Sequence, residues 1–440
     1  DSWYITQYIV EGMGHLKHLG VNEQLSGIQN LKGMDKVLAN AVKYTDDRIV
    51  ERYERLEKRV KKKLTTFEEN QLSYLDVHFL YTRSFYPEIP LSKKTQKVHD
   101  YFMGQAKKYW MKHGLYSQGM LALALNRGEE KATADLIVKG LRETSADSEE
   151  LGMHWKYDTG YYWYLLPIET HAMMIEVFSE IAKDEKAVNS LKLWMLKNKQ
   201  TTHWKTTKAT SAAVYALLMN GDNWLLEDQD INITIGGDLL DQSDIQKEAG
   251  TGHFKVDWKA DEVKADMANI KIKNPNKSPA WGAMYWQYFE DYDKIKSFED
   301  TPLKIVKTLY KEVVTDEGLE LQSITENSPI KVGDKLKVRI ELRVDRAMEY
   351  VHLKDMRASG FEPINVMSQY KWQAGLGYYE STRDAATNFF ISYLPKGTYL
   401  FEYPMRAIHK GDFSNGVTTL QCMYAPEFTS HSEGIRVKVK

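Results

Sequence analysis

The sequence predicts a multidomain chain that runs from α to β, a partial α/α toroid followed by two β-sandwich-like domains. Three observations predict it. Apolar residues in the first half recur with a helical period, the period drops to 2 near residue 223, and a second turn-rich break precedes residue 301. The 440 residues far exceed the ~150 of a typical domain. The breaks divide them into 1–222, 223–300 and 301–440.

Between Lys43 and Leu64 the apolar positions Ile49, Tyr53, Leu56, Val60 and Leu64 form one helical stripe. Asp46 and Asp47 near its start and Lys61, Lys62 and Lys63 near its end suit the helix dipole, so the charge run reads as a solvated face. Further helices are expected over 68–81, 94–113, 119–126, 129–143, 168–183, 186–199 and 206–220, the last closed by Gly221. Helices paired through short turns favour a toroid over a solenoid, because no strict repeat is visible.

After residue 223, Ile231, Ile233 and Ile235 alternate with polar residues, then Phe254, Val256 and Trp258, then Ile270 and Ile272. These predict strands of a small β-domain ending in the turn cluster Asn274-Pro275-Asn276-Lys277-Ser278-Pro279. In the third segment Leu336, Val338, Ile340, Leu342 and Val344 alternate with charged residues, as in a strand with one wet face. Residues 389–394, 398–405, 418–424 and 435–440 continue the pattern, with turns at Gly397, Gly411 and Gly416.

Composition narrows the function. Hydrophobic residues are 42% and charged residues 27%, so the chain is globular rather than disordered. Lys+Arg 59 against Asp+Glu 61 gives a net charge of -2, which does not favour a nucleic-acid partner. No apolar run reaches the ~18 residues of a membrane span. The single cysteine, Cys422, excludes an internal disulfide and a cysteine-cluster metal site. The opening Asp1-Ser2-Trp3 lacks a leader and reads as part of something longer.

The densest polar–aromatic run is 154–163, followed by Glu169 and His171. Trp155, Tyr161, Tyr162 and Trp163 could stack on sugars or a partner, and Asp158 with Glu169 could form an acid/base pair. That reading makes the chain a glycan-active enzyme. The plainer one is a loop whose rings pack between helices. His15 and His18 share a helix face but show no third ligand, so they read as surface histidines and no metal or other cofactor is expected. His203 reads as a helix-capping or packing residue. Trp281, Tyr285, Trp286, Tyr288 and Phe289 read as a buried seam between the second and third segments. Ser430-His431-Ser432-Glu433 is a turn, not a nucleophile elbow.

Two groups of residues carry a resemblance. The run 1–10, with His15-Leu16 and Leu19-Gly20-Val21, and the runs 168–170 and 203–210 resemble helices of the thioester-type toroid of bacterial α2-macroglobulins. Residues 345–351, 360–363, 423–428 and 431–434 resemble their terminal macroglobulin-like domain, Bacteroidetes-type members above all. The resemblance implies a CUB-like middle domain and the C-terminal region of a periplasmic or cell-surface protein, with a lipoprotein anchor on the preceding part as one means of attachment. It implies a non-enzymatic role in trapping proteases by conformational coupling, with upstream domains of the same polypeptide and proteases as partners. A family thioester needs a Cys with Gln three residues later. Cys422 is followed by Met423, Tyr424 and Ala425, so no thioester residue is expected here. The alternatives are the glycan-active enzyme and a protein-interaction module.

Overall fold

A computed structural model describes residues 2–20, 33–149, 151–156, 166–219, 230–248, 252–276, 280, 282–298, 302–325, 328–373 and 375–440. Helices come first and sheets after, and the chain forms two compact units. One is Asp1–Leu196 with Trp204–Ala280, the other Lys197–His203 with Trp281–Lys440.

The first unit holds α1 (Trp3–His18), α2 (Met34–Lys61), α3 (Tyr74–Arg83), α4 (Lys93–Tyr109), α5 (Leu115–Arg127), α6 (Lys131–Glu143), α7 (Pro167–Val177), α8 (Glu185–Thr201, whose last residues group with the other unit) and α9 (Thr207–Leu218). The stripe is real: Ile49, Tyr53 and Leu56 of α2 are buried. α2 begins nine residues earlier than expected, because residues 34–42 hold no helix breaker after Gly33 and include the good helix formers Met34, Leu38, Ala39 and Ala41. Starts are set by caps. Ser73 and Asp76 form a reciprocal capping box on α3, and the Ser92 hydroxyl accepts from the Thr95 N–H to open α4. α5 lies at the centre, its residues 119–125 all buried, packed against α3, α6 and α7. A polar residue there would leave an unpaired group in a dry interior.

The segment from 230 to 273 carries a short sheet, β1 (Asn232–Ile235), β2 (Asp238–Leu239) and β3 (Ile270–Lys273), in the order β2-β1-β3. The alternation at Phe254, Val256 and Trp258 does not produce a strand; those residues are irregular. Ile270 and Ile272 are exposed. The alternation exists, but no second layer among the described residues covers it.

The other unit is a sandwich. One sheet runs β5 (Gly318–Ser323), β4 (Leu303–Thr315), β6 (Lys335–Val344), β12 (Gly397–Ala407), β8 (Phe361–Pro363). The other runs β15 (Thr429–His431), β14 (Thr418–Cys422), β7 (Met348–Met356), β11 (Ala386–Leu394), β10 (Leu376–Thr382), β9 (Gln369–Gln373). β13 (Gly411–Ser414) pairs with β16 (Arg436–Val439). β6 alternates as its sequence demands, with Leu336, Val338, Ile340, Leu342 and Val344 all buried and facing Phe389, Ile391 and Leu420 of the opposite sheet in one core.

Candidate functional site

The most unusual chemistry lies inside the helical unit. Glu11 and His15 sit four apart on α1 and so share a face, as do His78 and Tyr81 on α3. His78 Nε2 is 2.7 Å from Glu11 Oε2. His15 Nε2 is 2.9 Å from the Tyr81 hydroxyl, which donates to Glu176 Oε2 at 2.6 Å. Arg127, the last residue of α5, donates to Glu176 at 2.7 Å and through Nε and Nη2 to Glu180, while its Nη1 donates to Ser84. Its guanidinium plane lies 4.2 Å from the Phe85 ring centre, and the His15 ring stacks on Tyr215 at 3.8 Å.

Burial and pairing oppose each other throughout. Burial would raise Glu11, but the hydrogen bond and charge of His78 hold it below the usual carboxylate range. Burial lowers His15 against the pull of Glu176 and Glu11. Tyr81 is raised far out of range by burial and by Glu176, so it stays a donor. Burial works to lower Arg127, yet Glu176 and Glu180 leave it raised. Each carboxylate is already engaged by a cation or a donor. The cluster therefore holds charge in a dry interior and fixes α1, α3, α5 and α7 against one another, rather than offering a free base or nucleophile.

Of the residues singled out in the sequence, Trp155 is buried, its indole N–H donating to Leu141 O at 2.9 Å. Glu169 is buried in the first turn of α7, and burial raises its carboxyl against the influence of its own N–H and of Lys208. Lys208 reaches the rings of Tyr4, Tyr8 and Tyr116. Asp158, Tyr161, Tyr162 and Trp163 lie outside the described residues.

Other expectations need correction. His15 is not a surface residue: its i,i+4 partner Glu11 and the tyrosines on α3 and α9 enclose it. His203 does not cap a helix with its side chain. Its backbone N–H and Nδ1 meet the Glu349 carboxylate, and Thr206 supplies the cap of α9. The aromatic seam is not buried where it is described, since Tyr285, Trp286, Tyr288 and Phe289 are exposed in an irregular segment; Trp281 lies outside the described residues.

The sandwich holds a second ionic site that alternation alone concealed. Lys307 on β4 points inward and meets Asp355 of β7 at 2.6 Å, both side chains fully buried. Thr418 Oγ1 donates to Asp355 at 2.6 Å, the Tyr403 hydroxyl donates to its other oxygen, and Lys307 also donates to Met356 O. Cys422 is buried farther along β14, opposite Val351, its thiol pushed up by burial and donating to Glu349 O. Among the described residues no group of three or more His, Cys, Asp or Glu could hold a metal ion, and no helix is long and apolar enough to cross a membrane.

Comparison with known proteins places part of this chain. Residues 303–427 match the family described as bacterial alpha-2-macroglobulin MG10 domain. Among solved structures, trypsin-activated alpha-2-macroglobulin from Escherichia coli is similar over 100% of this chain and 28% of its own, at 12% identity and TM-score 0.40. The elastase-activated E. coli protein is similar over 91% and 34%, at 12% identity and TM-score 0.38. The Salmonella protein reacted with methylamine is similar over 91% and 24%, at 12% identity and TM-score 0.28. This chain thus spans a quarter to a third of the length of those structures. Among curated proteins, circularly permutated Ras protein 2 of Dictyostelium discoideum is 22% identical over 119 residues, 27% of this chain and 3% of that protein.

Proposed function

We propose, from the premise that residues 303–427 form a bacterial α2-macroglobulin MG10 domain, that the chain is the C-terminal region of a larger envelope protein of that kind. On this reading it is built of a helical toroid, a small β-domain and the terminal sandwich, divided near residues 222 and 300. It acts without catalysis of its own, transmitting or resisting the conformational change by which the whole protein captures a protease. Its partners are the other domains of the same polypeptide and the captured protease, at the periplasmic or cell-surface side of the envelope.

The family match over the sandwich is the observation that carries the reading. Two features support it. The only cysteine is buried with its thiol raised, and Gln does not follow it at the third position. The ionic clusters in both units are spent on internal pairing, which suits rigid bodies that move as wholes.

The test is a hydrolase screen of the isolated chain against denatured casein, fluorogenic peptides and a panel of polysaccharides. The expected result is no turnover. Sustained turnover that disappears in Glu169→Gln, with the fold retained, overturns the reading in favour of catalysis in the helical unit.

A further inference from the structure

The two outer faces of the sandwich are chemically unlike. On the β4-β6-β12 sheet the outward residues of β6 are Lys337, Arg339, Glu341 and Arg343, all charged. That is an ordinary solvated face, laced by pairs such as Arg339 with Glu402 at 2.6 Å.

The other outer face is different. Its register sets Tyr370 of β9, Tyr379 of β10, Phe390 of β11, His352 of β7 and Gln421 of β14 in one row across five strands. The Tyr370 and Tyr379 rings lie 5.3 Å apart, and Phe390 stacks on His352 at 4.8 Å. Charge is sparse along the outward positions of these strands, Lys354 being exposed and Glu349 held by His203, and no Leu, Ile or Val occurs. The polar neighbours are neutral hydrogen-bonding groups, such as Asn388, whose Oδ1 meets His352 Nε2 at 3.0 Å.

At the edge of this face Trp372 is 82% exposed. It stands opposite Gly377, and a Cβ placed on Gly377 would lie 3.0 Å from the indole Cζ2. The glycine thus leaves room for the indole to lie over the neighbouring strand, with one face against the sheet and the other open. An indole held there at the cost of a β-strand glycine is a platform for a flat apolar surface.

We propose that this face is a binding site for a neutral polysaccharide. Trp372 and Tyr370 would stack on the C–H faces of pyranose rings, with Tyr379, His352 and Gln421 hydrogen-bonding hydroxyls. The scarcity of charge on this face favours a neutral, hydroxyl-rich chain over a charged partner, because amide, imidazole and phenol groups pair with hydroxyls and open aromatic faces match the C–H face of a pyranose. The inference goes beyond the proposed function and stands or falls separately from it.

The test is affinity electrophoresis of the full chain through gels containing hydroxyethyl cellulose, mixed-linkage β-glucan or galactomannan, with a pull-down on insoluble chitin. At least one of the four is expected to retain the protein. Trp372→Ala should abolish retention, and Tyr370→Ala should weaken it about 2- to 10-fold, the worth of one ring contact. Trp372→Phe should lie between, and Arg343→Ala on the charged face should change nothing. Circular dichroism confirms the fold of each variant. Retention by none of the four glycans overturns the proposal, as does retention unchanged by both the Trp372 and Tyr370 replacements. Finding that face covered by a protein partner without glycan retention also overturns it.

Discussion

Arg127 shows how much a single side chain can hold. It bridges Glu176 and Glu180 and covers the Phe85 ring. Removing one partner of a buried ion pair strands the others, at a cost of ~3–5 kcal/mol. Arg127→Met is therefore expected to strip hydrogen-exchange protection from α5 and α7 well before the sandwich opens. In the sandwich, Lys307→Met should cost a similar amount by stranding Asp355. Lys307→Met with Asp355→Asn should recover most of it, since the Asn Oδ1 still accepts from one of the Tyr403 and Thr418 hydroxyls while its Nδ2 donates to the other; urea unfolding of the three proteins checks this.

His171 contributes most visibly to the acid limb of stability, with His15, His99 and His113 lowered by burial in the same direction. Burial lowers His171 to about 3, against the Leu191 carbonyl that would raise it. The unfolded chain keeps a pKa near ~6.5. Below that pH the unfolded state takes up the proton first, so stability falls between about 6.5 and 3 and is untouched above. Glu11, depressed by His78, also loses its contribution as pH falls, while the raised Glu169 and Asp76 partly offset both. His171→Gln, which keeps a donor for Leu191, should flatten the fall between pH 6.5 and 4 in thermal melts.

At the scale of elements, backbone geometry decides where helices dock. Gly152 has φ +74, and a Cβ there would lie 2.2 Å from the Ser190 carbonyl of α8. Gly152→Ala should displace that contact and lower the first melting transition by several degrees, where a surface Gly12→Ala should not. The sequence signals divided along the same lines. Ile49, Tyr53 and Leu56 announced α2, and the 336–344 alternation announced β6, because water on one side and core on the other imposes a period. Phe254, Val256 and Trp258 gave the same signal without a strand, since alternation says nothing about whether a second layer arrives. Short strands such as β8 and β9 left too few residues to show a period.

The ionic sites were hidden for a related reason. Glu11, His15, His78, Tyr81, Arg127 and Glu176 come from four helices spread over much of the helical unit, and each alone reads as a surface residue. Lys307 and Asp355 look like solvent-facing positions until pairing across two sheets removes their charge from the count. His15 with Glu11 was the one legible hint, an i,i+4 pair on a face that also carries Val10 and Gly14, both buried.

For the whole molecule, the order of helices then sheets was legible and the chemistry was not, because the proposed conformational coupling would leave no local motif. On the proposed function, this chain serves protease capture only as part of a larger polypeptide. The direct measurement is the residual activity of elastase on a protein substrate and on a small peptide substrate. It is made with the chain alone and with a longer protein that carries it together with preceding domains. The chain alone is expected to leave both activities unchanged. The longer protein should block cleavage of the protein substrate and spare the peptide. Inhibition by the chain alone, or a longer protein that leaves protein cleavage intact, would contradict that proposal.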